Sequence, residues 1–262
     1  MRLQVLVSTM HRKDYSLLDE MNIQSDAVVI NQCDIEKTEE FLYKGHNIKW
    51  ISVKERGIGK SRNMAIENAD ADIILFADDD IVYDDGMAQA VVGAFEEYKD
   101  SDIIVFNLES LNAERPEFMV EQDIKIGRFN FMRYGAAKIA VRTDSINKNK
   151  LRFSLLFGGG AKYQCGEDNL FLIQSIKAGM NPVAVPVKIG CVKQEESTWF
   201  KGYNEKYFND RGVLFGAMFG LSAPIYLLLI DIKNNSRYEI PFLKRYITGL
   251  KGIREYKDIE ER

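Results

Sequence analysis

Residues 76–83 read FADDDIVY, directly after Ile73-Ile74-Leu75. The run from Ile73 to Phe76 is short, apolar and rich in β-branched and aromatic residues, the pattern of a buried strand. Three carboxylates follow it, Asp78, Asp79 and Asp80. Adjacent carboxylates repel, and burying one without a partner is costly, so the triplet is either solvated or compensated locally. Aspartates are common in turns, and Asp79 or Asp80 could cap a following helix. Position favours a functional reading, because ligands of open α/β sheets bind beyond the carboxyl ends of the strands, where this triplet falls. If the chain stays extended there, Asp78 and Asp80 point one way and Asp79 the other. That makes a two-carboxylate clamp for a hard cation such as Mg or Mn, with coordination positions left for phosphate oxygens.

Around this strand the pattern alternates. Further strands are expected near residues 3–8, 27–31, 48–53, 72–77, 102–107, 137–142 and 183–192. Helical spacing lies between several of them, as in Met87, Val91, Phe95 and Tyr98, or Leu170, Ile173 and Ile176 ahead of a stop at Gly179. Such alternation predicts an α/β fold, a mainly parallel sheet with helices on both faces. Up to Asp80 the spacing is that of a nucleotide-binding half.

The chain of 262 residues and 30.0 kDa can bury a sizeable core. Its net charge of −4 gives no footprint for nucleic acid. Cys33, Cys165 and Cys191 are scattered and odd in number, which indicates neither a disulfide framework nor a zinc site and fits a reducing cytoplasm. The N-terminal MRLQVLVSTMHRKD carries an apolar run too short for a signal peptide and reads as the first strand.

Two other segments carry chemistry. ERGIGKSRNMAIENAD, residues 55–70, sets Gly57 and Gly59 ahead of a helix that Ser61 could cap. A P-loop is excluded, since the Walker pattern needs glycine where Lys54 stands. A glycine-rich turn into a helix can still receive an anion, and Lys60 and Arg62 add positive charge suited to a diphosphate. The bland alternative is a plain loop with surface basic residues. The second segment is Gly166-Glu167-Asp168, which opens a helix and follows Gly158-Gly159-Gly160. Both acids would complement the helix dipole at its first turn. Alternatively the glycine run admits a substrate close to the backbone while one carboxylate acts as general base.

Taken in order, a first strand ending VLVSTM, a second ending VVINQCD, RGIGKSRNMAIENADADIILFADDD, and late in the chain GGG followed by GED resemble the inverting nucleotide-sugar glycosyltransferases of family 2, with the GT-A fold. The resemblance covers roughly residues 1–200. It implies a nucleotide-diphosphate sugar donor, a divalent metal (Mn or Mg) held by Asp80 and Asp78, and a base drawn from the Glu-Asp pair. Asp168 is assigned as that base, with Glu167 as the fallback. Thr9, Gln32, Lys60, Arg62 and Asp78 are assigned to the donor. The sequence departs from the family where Asp-Asp-Gly-Ser commonly follows the second strand, for here it reads Asn31-Gln32-Cys33-Asp34. Gln32 replaces the usual aspartate, and an amide that donates and accepts fits a uracil edge, which points to UDP. A histidine that often completes the family's metal site is also missing, since the only histidines are His11 and His46; Gln194, Glu195 and Glu196 occupy the comparable region.

Residues 213–230, VLFGAMFGLSAPIYLLLI, are 18 residues without a charge, at the lower edge of a membrane span and interrupted by Gly216, Gly220 and Pro224. Six basic residues and one acid follow in 233–254, with Leu243, Tyr246, Ile247, Leu250 and Ile253 as an apolar helical stripe. The expected organisation is a GT-A catalytic domain over 1–205 and a helical extension over 206–262. That extension is expected to associate peripherally with the cytoplasmic membrane face, where a glycan or lipid-linked acceptor of cell-surface polysaccharide synthesis would be met. The competing readings are a metal-dependent nucleotidyltransferase, which shares acidic strand ends, and a non-catalytic scaffold whose acids are structural.

Overall fold

The computed structural model describes residues 1–194 and 202–260. They form two compact units, residues 1–155 with 167–194, and residues 156–166 with 202–260. Segment 156–166, expected within the catalytic domain, thus groups with the C-terminal helices.

The first unit runs β1 (Leu3–Met10), α1 (Leu17–Glu20), β2 (Asp26–Gln32), β3 (Lys37–Tyr43), β4 (His46–Val53), α2 (Ile58–Glu67), β5 (Ile73–Asp78), β6 (Ile81–Tyr83), α3 (Met87–Glu97), β7 (Ile103–Ser110), β8 (Ile124–Lys125), β9 (Ile139–Arg142), α4 (Thr143–Asn149), α5 (Glu167–Lys177) and β10 (Pro182–Val192). Its strands make one sheet in the order β3-β4-β2-β1-β5-β9-β7-β10-β6, with β8 paired to β10. Strands β1, β2, β4, β5, β7 and β10 share one direction, which makes the sheet mainly parallel as expected. The reversed strands are short or lie at an edge. All seven expected strands are present. The additional β3 runs from charged and polar residues to apolar ones along an exposed edge, without the alternation that marks a strand, and β6 and β8 are too short to carry a pattern and exist because β10 pairs with them.

Period-two alternation along β5 sorts its side chains between two cores. Leu75 and Ala77 join Val5 and Val7 of β1, Leu17 and Leu18 of α1, and Val91 and Phe95 of α3. Phe76 faces the other way, its ring 5.0 Å from Phe153 and 5.5 Å from Phe171, which stack on each other at 4.4 Å. Asp78 therefore leaves the strand on the Phe76 side. Three asparagines tie loops to this frame by donating to and accepting from one backbone residue each: Asn31 with Arg12, Asn63 with Phe153, and Asn107 with Val120. Each amide replaces one rung of a strand ladder.

The second unit contains α6 (Glu205–Phe219), α7 (Ala223–Lys233) and α8 (Phe242–Glu260). Helices α6 and α8 approach closely enough that a Cβ on Gly212 would overlap the Gly249 carbonyl and one on Gly252 the Asn209 carbonyl. The Gly158–Gly160 run forms a turn, with Gly158 and Gly160 at φ of 100° and 80° and Gly158 N donating to Tyr163 O at 2.9 Å. Tyr163 and Lys162 then bond Glu255 of α8 at 2.7 and 2.8 Å. The expected apolar stretch is divided by a turn at Gly220–Ser222, where Gly220 has a φ of 53°. At about 1.5 Å per residue, helices of 15 and 11 residues reach about 22 and 16 Å, each short of the ~30 Å hydrocarbon core. Val213, Leu214, Phe215 and Met218 of α6 are buried within the unit.

Asp231, wholly buried on α7, is bonded by Arg211 of α6 and lies 3.9 Å from Nε of Arg245 on α8. Arg245 in turn donates to Asn235 Oδ1 at 2.7 Å, and both guanidinium groups lie over the Tyr238 and Phe208 rings. Removing one partner of a buried pair strands the other charge. Asp231→Ala is therefore expected to lower the unfolding free energy by about 3–5 kcal/mol in urea denaturation; a loss below about 1 kcal/mol would mean that the rings and carbonyls suffice for the two arginines.

Candidate active site

Three segments of the first unit meet at the carboxyl ends of its parallel strands: the turn after β5, the start of α2 and the start of α5. Helix α2 begins after Gly57, whose φ of 125° favours glycine, and Gln32 at the end of β2 accepts the Gly57 N–H through Oε1 at 2.6 Å. Ser61 does not cap the helix as expected. Glycine holds the cap position, and the Ser61 hydroxyl lies inside the first turn, donating to Ser8 Oγ of β1 at 2.8 Å. Gly59 is fixed by packing, since a Cβ there would overlap the Ser154 carbonyl oxygen.

Arg62, one turn further on, is buried and joins the two acidic segments. Its Nη1 donates to Glu167 Oε1 at 2.9 Å and its Nη2 to Asp78 Oδ1 at 2.9 Å. The guanidinium carbon lies 5.2 Å from the centroid of the Phe153 ring. Burial works against its charge, but Asp78 and Glu167 outweigh burial and hold the guanidinium above its ordinary value. The arginine expected to meet a diphosphate is thus already bound to two carboxylates. Lys60 is the more exposed cation of this helix, 3.3 Å from Glu55.

The aspartates of the triplet have three different surroundings. Asp78 closes β5 and pairs with Arg62. The chain turns at Asp79 and Asp80 before β6, so the extended geometry ends at Asp78. Asp79 accepts from the Thr9 hydroxyl at 2.5 Å. Neither Asp79 nor Asp80 caps a helix, because α3 starts after Gly86. Burial, then the charges of Asp78 and Asp79, push the Asp80 carboxyl up to about 6, against hydrogen bonds from its own backbone and that of Gln194. Gln194 sends its side chain to Glu117 and Ser110, while Glu195 and Glu196 lie outside the described residues. Among the described residues no group of three or more His, Cys, Asp or Glu forms a metal cage. An acid raised by burial and by its neighbours' charges fits instead a hard cation that takes one or two carboxylates and keeps water or phosphate for its other positions.

The Glu-Asp pair divides in the same way. Glu167 is committed to Arg62. Asp168 is pushed up to about 7 by burial and then by the charge of Glu167, against hydrogen bonds from Asn169 and the attraction of Arg62. Its Oδ1 accepts both the backbone N–H and the side-chain amide of Asn169, at 2.7 and 2.9 Å. Its Oδ2 lies on the side of Gly135, where an added Cβ would stand 3.8 Å away. A carboxyl raised towards neutrality beside an arginine-bound neighbour is suited to acid–base work. Asn63, Phe153, Asn169 and Gly135 carry no local signal; only the long-range contacts reveal them.

Comparison with known proteins gives the class. A model described as "Glycosyl transferase family 2" matches residues 15–154, just over half of the chain. The chain belongs to that family and is a glycosyltransferase. Among solved structures it is similar to residues 1–349 of S. aureus TarS in complex with UDP-GlcNAc, with a TM-score of 0.68 and 15% identity over 97% of this chain and 80% of that one. The same TarS fragment in complex with UDP aligns at a TM-score of 0.65 and 14% identity, covering 100% and 90% of the two chains. At such identities the likeness speaks for the fold, which is the expected GT-A type. No match is found among curated proteins. Family membership sets aside the nucleotidyltransferase and scaffold readings.

Removing Arg62 would leave Asp78 and Glu167 without their shared cation. Arg62→Met is expected to destabilise the protein by about 3 kcal/mol in urea denaturation. Arg62→Lys should fall between the two, because an ammonium cannot reproduce the fork that meets both acids. An unchanged Arg62→Met midpoint would show that the carboxylates are solvated independently.

Proposed function

We propose that the protein is an inverting glycosyltransferase that moves a sugar from a nucleotide-diphosphate donor, UDP-linked, to a hydroxyl of a glycan or lipid-linked acceptor in cell-surface polysaccharide synthesis. The observation that carries this reading is the convergence, around Arg62, of an acidic strand end with an acid-bearing helix start. The UDP donor is supported by the likeness to TarS, which has been solved with UDP-GlcNAc and with UDP. Gln32 spends its amide oxygen on Gly57, which leaves its NH2 group to meet a nucleobase carbonyl, and uracil offers two of these. The first turn of α2, with Lys60 beside it, offers N–H groups and positive charge to the diphosphate.

Asp168 takes the acceptor proton on Oδ2 while Asn169 holds Oδ1. Loss of that proton sharpens the acceptor oxygen for in-line attack on the face of the sugar opposite the diphosphate, which gives inversion. Glu167, held by Arg62, keeps the neighbouring charge that raises Asp168. Asp80, with Asp78, would hold a divalent Mn or Mg ion, which would supply positive charge against that developing on the departing diphosphate. Burial of Arg62 keeps its charge in place beneath both acids, so the site needs no rearrangement to align them.

The base must be ionised to act. With the Asp168 carboxyl raised to about 7, kcat/KM should fall about tenfold per pH unit below that value and level off above it. Asp168→Asn is expected to lose about a hundredfold or more of transfer. Near-normal transfer by a folded Asp168→Asn enzyme would sink the assignment.

Donor and metal are tested separately by thermal shift with UDP, GDP and CMP, each with and without Mn, on the parent and on Asp80→Ala. A Mn-dependent shift with UDP alone, lost in the variant, is the expected result. A shift with UDP that is indifferent to Mn and to Asp80 would remove the metal from the donor site.

A further inference from the structure

Helix α7 is apolar but for Asp231 and its last residue, Lys233, although only one side of it is covered. Ala223, Leu227 and Asp231 are its buried residues. On the opposite side Leu221, in the preceding turn, and Ile225, Leu229 and Ile232 form a stripe at spacings of four, four and three, exposed by 90%, 62%, 57% and 59%. The stripe continues in character on α8, where Leu243 and Ile247, one turn apart, are also exposed. Ile253, at the inner edge of the stripe read from sequence, is buried. A helix with no polar face is ordinarily buried in a core or in lipid, and a stripe of this kind on a surface marks an interaction site.

Cations surround these residues. Lys233 ends α7, Arg237 follows it, and Arg254 falls by helical spacing on the face of α8 that carries Leu243 and Ile247. Among the described residues Lys233, Arg237 and Arg254 form no ion pair, whereas the unit's other salt bridges use Lys162, Lys206, Arg211, Lys244 and Arg245. The exposed large apolar side chains of α7 and α8 are leucine and isoleucine only. Protein interfaces favour aromatic residues and are depleted in lysine, so this composition argues against a protein partner. Aliphatic side chains beside unpaired Lys and Arg match the boundary between acyl chains and anionic headgroups.

We propose that the outer face of α7, with the start of α8, docks on an anionic bilayer surface. Ile225, Leu229 and Ile232 enter the acyl boundary, and Lys233, Arg237 and Arg254 meet the headgroups. The 29 residues from 205 to 233 are together long and apolar enough to cross a membrane, but the turn at Gly220 and the burial of α6 within the unit favour a peripheral contact, as at the cytoplasmic face of a plasma membrane. The proposal does not depend on the identity of the donor.

The test is sedimentation of the full chain with phosphatidylcholine vesicles, with and without phosphatidylglycerol, at low and high salt. Variants are Ile225→Glu with Leu229→Glu, and Lys233→Glu with Arg237→Glu, each checked for an unchanged melting temperature. The parent should bind the phosphatidylglycerol vesicles, with charge reversal or high salt weakening binding about fivefold or more. The apolar pair of substitutions should abolish binding. Three results would overturn the proposal: no binding to anionic vesicles, binding unaffected by both sets of substitutions, or a doubled mass by light scattering that Ile225→Glu reverses. The last would mean that a second copy of the chain covers the stripe.

Discussion

The buried guanidinium of Arg62 constrains everything around it. A charge so placed is tolerated only with partners, and its two partners come from sequence positions sixteen and about a hundred residues away, Asp78 and Glu167. To bring them together, β5 must end beside α2, and α5 must begin over the same spot. The aromatic group Phe76, Phe153 and Phe171 supplies the floor, and Asn63 fixes Phe153 by two hydrogen bonds to its backbone. Sheet, helix start and loop are thus held by one side chain whose loss would release two acids at once.

Much of the first unit was legible because its strands are buried and its helices periodic. FADDD announced itself as an acidic strand end, and the alternation of strands and helices predicted the mainly parallel sheet. What escaped was decided at long range. Ser61 looks like a helix cap in sequence, yet Gln32, on another strand, makes Gly57 the cap by accepting its N–H. Gly59 looks like a phosphate-loop glycine, yet its constraint is the Ser154 carbonyl. Arg62 reads as a phosphate contact until its two partners are seen. The Gly158–Gly160 run reads as an opening for substrate, and in the structure Gly158 and Gly160 serve left-handed turn geometry within the second unit. In each case the local residue type was read correctly as special, and the partner that made it special lay out of reach of the pattern.

The second unit follows a different physical logic. Its interior is crossed by an ion cluster rather than sealed by aliphatic packing alone, with Asp231 facing two arginines and the rings of Phe208 and Tyr238. Glycines at 212 and 252 let α6 and α8 come close, so side chains that elsewhere would fill the interface are not needed there. The consequence is an inversion of the usual distribution. Charge lies inside α7 and aliphatic residues lie outside it, which explains why hydropathy alone marked the stretch as membrane-like although its first half packs as an ordinary helix.

Charge balance links the acids of the first unit to one another. Asp78, Glu167 and Asp168 act on one buried cation, Arg62, while Asp78 and Asp79 act on Asp80. Arg62 satisfies Asp78 and Glu167, and Thr9 satisfies Asp79. The unmet negative charge appears as raised proton affinity at Asp80 and Asp168, where burial adds to it. Protons and cations compete for such places, so each raised carboxyl marks a position where a positive charge is favoured. Arg62, bound to Asp78 and Glu167, holds one acid of each segment in a fixed position, so that each keeps its charge beside the neighbouring carboxyl that it raises, Asp80 or Asp168.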